Sequence, residues 1–215
     1  MLGGCASSAD APNGIASRPA GRILADAVAA ARGAATVHVA GSIEDGARPI
    51  SIDMELVSHK GAQGRVAVDG LDLDLVELDG LLYVKGNASF ERSVLGASAP
   101  AQLRGRWLKG RADAPALAPL APLGQMRVLI PEVLGAHGAL ERGGAHNIDG
   151  REAIALEDPS ADATLYVAST GAPYPLELVK AGTRAGTLAF DRWNQPVEVS
   201  APSNPIDVRE LEGAR

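Results

Sequence analysis

Few residues of this chain have the types and spacing that covalent or metal chemistry needs. The four histidines, His38, His59, His137 and His146, are scattered. No two sit at the helical spacing that brings a pair of ligands onto one ion, so no metal centre is expected. The acids Asp69, Asp72, Asp74, Glu77 and Asp79 are the densest charged group. Side chains on a strand alternate between faces and do not converge on calcium. This strip is therefore read as the solvated face of a strand. Ser169-Thr170 lies in a turn with no evident base. No phosphate-binding loop, dinucleotide fingerprint or nucleophile elbow occurs. An enzyme is not expected, and neither is a cofactor.

One further residue carries chemistry. Cys5 is the single cysteine, so a disulfide has no second thiol within these 215 residues. It reads as a chance thiol in a tail, as a small buried hydrophobe, or as a modification site. Its neighbours favour the last. Leu2-Gly3-Gly4-Cys5 resembles a bacterial lipobox, in which small residues precede a cysteine that is lipidated and becomes the mature N-terminus. The small, polar stretch after it, Ala6 to Gly21, suits a flexible tether. The charged and apolar parts of a signal peptide are missing upstream, so the chain is expected to begin inside one. Residues 1–18 are assigned to this lipobox and tether, and 19–215 to one folded domain.

Composition narrows the domain's partners. Lys and Arg number 20 against 26 Asp and Glu, a net charge of −6, with no long run of either sign. Nucleic acid needs a basic footprint and is not expected as a partner. Aromatic residues make up only 3% of the chain, against 46% hydrophobic overall. Any core or cavity is thus lined mainly by Leu, Val, Ile and Ala. No apolar run approaches the ~20 residues of a membrane span.

The elements follow from periodicity. A helix is predicted from Ser17 or Pro19 to Gly33, with Ile23, Leu24, Ala27, Val28 and Ala31 on one face. Period-two patterning then predicts strands over Thr36–Ile43, Ile50–Ser58, Gly64–Asp69 and Leu71–Leu78. Asp79-Gly80 signals a hairpin returning through Leu81–Lys85. A short helix over Asn87–Leu95 and a strand around Gly105–Lys109 come next. From Pro115, Leu117, Leu120, Leu123, Met126 and Leu129 recur every third residue, interrupted by Pro119 and Pro122. Proline forbids one regular helix there. A broken cover is predicted, helical from about Pro122 to Ile130. The sheet resumes over Gly138–Arg142, Asn147–Glu157 and Ala163–Ala168. Three more pairs then share a face: Leu176 with Leu178, Leu188 with Phe190, and Val197 with Val199. A terminal helical turn is expected over Asn204–Leu211. About ten to twelve strands in a meander point to a barrel or a highly curved sheet.

Several of these runs carry a resemblance. The run Tyr166–Leu178 (YVASTGAPYPLEL), then Gly186–Pro202 (GTLAFDRWNQPVEVSAP) and the hairpin VELDGLLYVKG are similar to the LppX/LprG-like actinobacterial lipoprotein family, whose fold resembles LolA. The resemblance implies an α+β fold: a single strongly curved antiparallel β-sheet, a half-barrel, with helices covering its concave face and a hydrophobic cavity between.

It also implies a membrane-anchored envelope lipoprotein that binds and carries acylated lipids or glycolipids, with an envelope transporter as partner. The location implied is the outer face of the cytoplasmic membrane, anchored through lipidated Cys5. The expected cavity wall is Val37, Val39, Ile52, Met54, Val66, Leu73, Leu120, Leu123 and Met126. Strand register decides which of these face inward. The competing reading is an envelope sensor or accessory module that carries no lipid.

Overall fold

In the computed structural model, residues 11–45, 48–95, 104–115, 117–135, 138–182 and 185–212 are described. Cys5 and His137 lie outside them. The chain opens with α1 (Ala20–Gly33) and then a five-strand meander. Its strands are β1 (Thr36–Asp45), β2 (Arg48–Val57), β3 (Gly61–Val68), β4 (Leu71–Leu78) and β5 (Leu81–Gly86). Next come α2 (Ala88–Leu95), β6 (Leu108–Arg111), α3 (Ala121–Gly124) and α4 (Met126–Gly135). A second meander follows: β7 (Glu141–Ile148), β8 (Arg151–Asp158), β9 (Ala163–Ala168), β10 (Pro175–Lys180) and β11 (Gly186–Asp191). The chain ends in β12 (Ile206–Asp207) and α5 (Val208–Glu212).

All twelve strands form one sheet, in the order β12-β6-β5-β4-β3-β2-β1-β11-β10-β9-β8-β7. The two meanders join where β1 pairs antiparallel with β11, bringing His38 opposite Asp191 and Gly41 opposite Leu188. The sheet is a single curved surface that does not close, with β12 and β7 at its edges. Helices lie across its concave face: α1 packs on α4, β9 and β10, α2 on β4 and β5, and α3 on β3 and β4. One core cluster joins the helical residues Ile23, Ala27, Phe90 and Ile130 to strand residues from Leu108 on β6 to Leu156 on β8. Nine strand spacings separate those two strands, roughly 43 Å in a flat sheet. Curvature around the helices draws them into one core.

Curvature has a local cause at the seam. Gly41 has φ 144° and Gly186 φ 151°, backbone that other residues rarely adopt. A Cβ at Gly41 would sit 2.0 Å from the Thr187 carbonyl oxygen, and one at Gly186 2.1 Å from that of Ser42. Two glycines facing each other's strands let β1 and β11 kink together. The seam is then pinned at one end by the Trp193-Asn194-Gln195 turn. Asn194 Oδ1 accepts from Ala35 N at 2.7 Å, Thr36 Oγ1 donates to Gln195 O at 2.7 Å, and Trp193 Nε1 donates to Pro175 O at 3.0 Å. Trp193 stacks on Tyr174 with ring centroids 4.6 Å apart.

Four expectations need correction. Val197 and Val199 are not a strand. Residues 192–205 cross the outer face from β11 to the far edge, and Val199 packs there on Val76 and Tyr83. A segment running across strands cannot join their ladder. Having crossed, the chain pairs β12 parallel to β6, so the sheet is mixed at that edge. Leu176 and Leu178 do not share a face: a bulge between Pro175 and Glu177 sends Leu176 outward to Ala153 and Ala168. Glu77 does not belong to the solvated acidic strip. It shares the inward face of β4 with Leu73 and Leu75 and is buried. The cover breaks at Gln125, which is extended (φ −105°, ψ 97°), and Pro131 lies inside α4.

The expected tether is docked over its last residues. Asn13 Nδ2 donates to Ala168 O at 2.9 Å and Gly171 O at 3.1 Å, Pro12 bridges Thr170, and Ile15 is buried. Residues 11–18 thus strap the β9–β10 turn, at the same end of the strands as Trp193.

The seam makes a sharp prediction. Gly41→Val should lower stability by at least about 2 kcal/mol, from backbone strain plus overpacking. Ser42→Val, exposed beside it, should change it by less than about 0.5 kcal/mol. Chemical denaturation of both variants checks this, and equal effects would remove the seam's dependence on Gly41.

Candidate functional site

Strand register arranges the inward face in rows. The row Val37, Leu56, Ala62, Glu77 lies beside the Trp193 end, and the next is Val39, Met54, Gly64, Leu75. Gly41, Ile52, Val66 and Leu73 form the third row, and Ile43, Ile50, Val68 and Leu71 the fourth. Packing changes along these rows. Val37, Leu56, Met54 and Leu75 are fully buried against the helices, whereas Ile43, Ile50, Ile52, Val68 and Leu71 remain partly exposed. The concavity is thus filled at one end and incompletely covered at the other.

At the open end lies a cavity of about 290 Å³. The sheet contributes Val39, Ile43, Ile50, Ile52, Val66 and Leu188, and the cover contributes Leu123 from α3 with Leu129 and Val133 from α4. Its charged neighbours are Glu44 and Lys180. A smaller cavity of about 40 Å³ adjoins it, sharing Val133 and Lys180 and reaching Leu24, Leu156, Asp158 and Leu178. Asp158 is committed there: Ser160 Oγ donates to its Oδ1 at 2.6 Å and Gly138 N to its Oδ2 at 2.7 Å. These bonds, that of Ser160 foremost, hold its carboxyl below the usual range.

Of the nine expected wall residues, Val39, Ile52, Val66 and Leu123 line the larger cavity. Val37, Met54, Leu73 and Met126 sit in the packed core, and Leu120 is partly buried against it. Sequence reading left out Ile43, Ile50, Leu129, Val133, Lys180 and Leu188. For Lys180 a signal was present: it continues the parity of inward Leu178. The bulge at Pro175 obscured which face that parity selects.

Glu77 is the anomaly of the filled end. Its residue is 8% exposed, and its buried Oε2 has no hydrogen-bond partner among the described residues. Gly124 of α3 sits directly on it, close enough that a Cβ at position 124 would come within 2.2 Å of Oε2. Burial pushes the carboxyl up from its ordinary 4.5. Among the described residues no group of three or more His, Cys, Asp or Glu is arranged to hold a metal ion.

This arrangement defines a class: an open, curved sheet cradling helices around an apolar cavity. Two solved structures are similar to this chain in fold. LprF from Mycobacterium bovis matches with TM-score 0.56 and 16% identity, over 85% of this chain and 96% of that one. The Mycobacterium tuberculosis lipoprotein LppX matches with TM-score 0.54 and 20% identity, over 84% and 99%. The chain shares the fold of these mycobacterial proteins, and the resemblance read from the sequence holds at that level. No protein-family model matches the chain, and no curated relative does.

Glu77 generates a pH prediction. The folded state holds its proton more tightly than the unfolded chain does. Its contribution to stability is therefore fully present below pH 4.5 and is lost as pH rises through the folded-state value. Glu77→Gln should raise the melting temperature at neutral pH and leave it nearly unchanged at pH 4. Equal shifts at both pH values would show that the carboxyl does not titrate with folding.

Proposed function

We propose that the protein binds an acylated lipid in the cavity between the sheet and α3–α4, and carries it within the cell envelope. The observation that carries this reading is the cavity of about 290 Å³ walled by aliphatic side chains at the incompletely covered end of the sheet. Transferring an acyl chain from water to such a wall contributes about 0.8 kcal/mol per methylene. The volume lies just under the ~300–1,000 Å³ of ordinary small-molecule pockets. In this conformation it takes a single chain. A diacyl or triacyl lipid requires the cover to move outward, and the break at Gln125 between α3 and α4 is where it would hinge.

Anchorage belongs to the same proposal. A lipidated Cys5 would hold the protein at the outer face of the cytoplasmic membrane. Five residues, and so six residue steps, separate Cys5 from Ala11, the first residue of the docked strap, a reach of at most about 22 Å. The strap sits at the Trp193 end of the strands and the cavity at the other. The cavity would then open away from the anchoring membrane, toward an envelope partner that receives or delivers the lipid.

Leu123→Trp tests the cavity. A ring in place of the Leu123 side chain fills space that a chain needs, so the folded variant should co-purify with several-fold less lipid than wild type when both are made in the native envelope. Equal lipid in both would remove Leu123 from the binding wall, and no lipid in either would defeat the carrier reading. Anchorage is tested separately: Cys5→Ala should move the protein out of the membrane fraction, and an unmodified Cys5 in the intact mass of native protein would sink it.

A further inference from the structure

We infer that Lys180 selects the ligand's headgroup, and that the ligand is an amphiphile whose headgroup is anionic. This rests on the lipid-binding reading above and specifies its chemistry. Among the described residues, Lys180 is the one of positive charge lining either cavity, and with Val133 it lines both. It ends β10, paired with Gly186 and Ala163, on the inward side that Leu178 occupies. It is half-buried among the aliphatic residues of the wall, and a lysine so placed lays its stem on apolar surface and carries its ammonium toward water.

The nearby acids leave this charge uncommitted. Asp158 already accepts hydrogen bonds from Gly138 and Ser160. Glu44 is exposed, one residue past inward Ile43 and so on the opposite parity of β1. Among the described residues no carboxylate lies within the 4.0 Å of an ion pair to Lys180. An unpaired ammonium at the rim of an aliphatic cavity complements one kind of molecule: chain against the wall, phosphate, sulfate or carboxylate on the cation. The protein's net charge of −6 opposes anions at long range. That field is screened beyond about 10 Å at 0.1 M salt, so contact with Lys180 decides.

The test compares two single-chain probes below their micellar concentrations, binding to the full chain made without lipid modification at 0.1 M salt. Hexadecyl phosphate carries the anion, and monopalmitin is neutral. Calorimetry should show hexadecyl phosphate binding on the order of tenfold tighter to wild type, the size of one charge-assisted hydrogen bond. Lys180→Met keeps the stem and should abolish the difference without weakening monopalmitin, whereas Lys180→Arg should retain it. Millimolar inorganic phosphate should not compete, because it has no chain. Equal affinities in wild type, or a preference that survives in folded Lys180→Met, would overturn the inference and leave the cavity reading standing. Competition by phosphate would make this a free-anion site and overturn it as a lipid contact. Binding of neither probe to wild type would overturn both readings. The wild-type comparison decides by itself if a variant fails to fold.

Discussion

The pairing of β1 with β11 is the contact on which the rest of the structure depends. Each meander forms by local hairpins, but this pairing joins residues roughly 150 positions apart, such as His38 and Asp191. Without it there are two sheets and no shared concavity. The contact is made from several kinds of interaction at once. Glycines at 41 and 186 let the backbones approach, and the Trp193 turn closes one end. On the outer face, His38 Nδ1 lies 2.6 Å from Asp191 Oδ1 and its Nε2 2.9 Å from Asp53 Oδ1. Long-range pairing carries a large loop-closure cost, which grows only slowly with loop length. A handful of such contacts is enough to offset it.

The seam also explains why the interior is uneven. At the Trp193 end, turns, strap and helices converge, and Val37, Leu56, Met54 and Leu75 of the first two rows are fully buried. At the other end the strands run out toward the β1–β2 connection and Lys180, and among the described residues Leu123, Leu129 and Val133 cover the cavity there. Core packing and cavity are therefore two ends of one aliphatic surface, built from the same residue types. The difference between them is how many helical atoms lie above each row.

The cover is built to be less regular than the sheet. Prolines at 119 and 122 restrict α3 to four residues, Gln125 is extended, and Pro131 deprives α4 of a backbone donor. Short, interrupted helices have few internal hydrogen bonds and depend on what they pack against. Here α3 rests partly on Glu77, a buried carboxyl that costs free energy wherever it ionises. The element that carries Leu123 of the cavity wall is thus seated on a buried carboxyl oxygen with no hydrogen-bond partner among the described residues.

Most local structure was legible in the residues themselves. Alternation marked β4 as Leu71–Leu78 and Asp79-Gly80 as its hairpin, and the spacing of Ile23, Leu24, Ala27 and Ala31 marked α1 and its buried face. These features depend on neighbours within a few positions, and hydrophobic periodicity reports them directly. The family resemblance added the architecture, on turn and strand motifs. The sequence could not separate wall from core, because Val39 and Val37 alternate identically and differ only in what crosses above them. Nor could it assign Leu176, whose face a bulge reversed, or Val199, whose strand-like pattern serves a segment crossing the sheet. Glu77 looked like one more acid on a solvated face, and Lys180 was not singled out. Their surroundings are set by register, by the β1–β11 seam and by where α3 and α4 come to rest, contacts between residues far apart in the chain that no local pattern encodes.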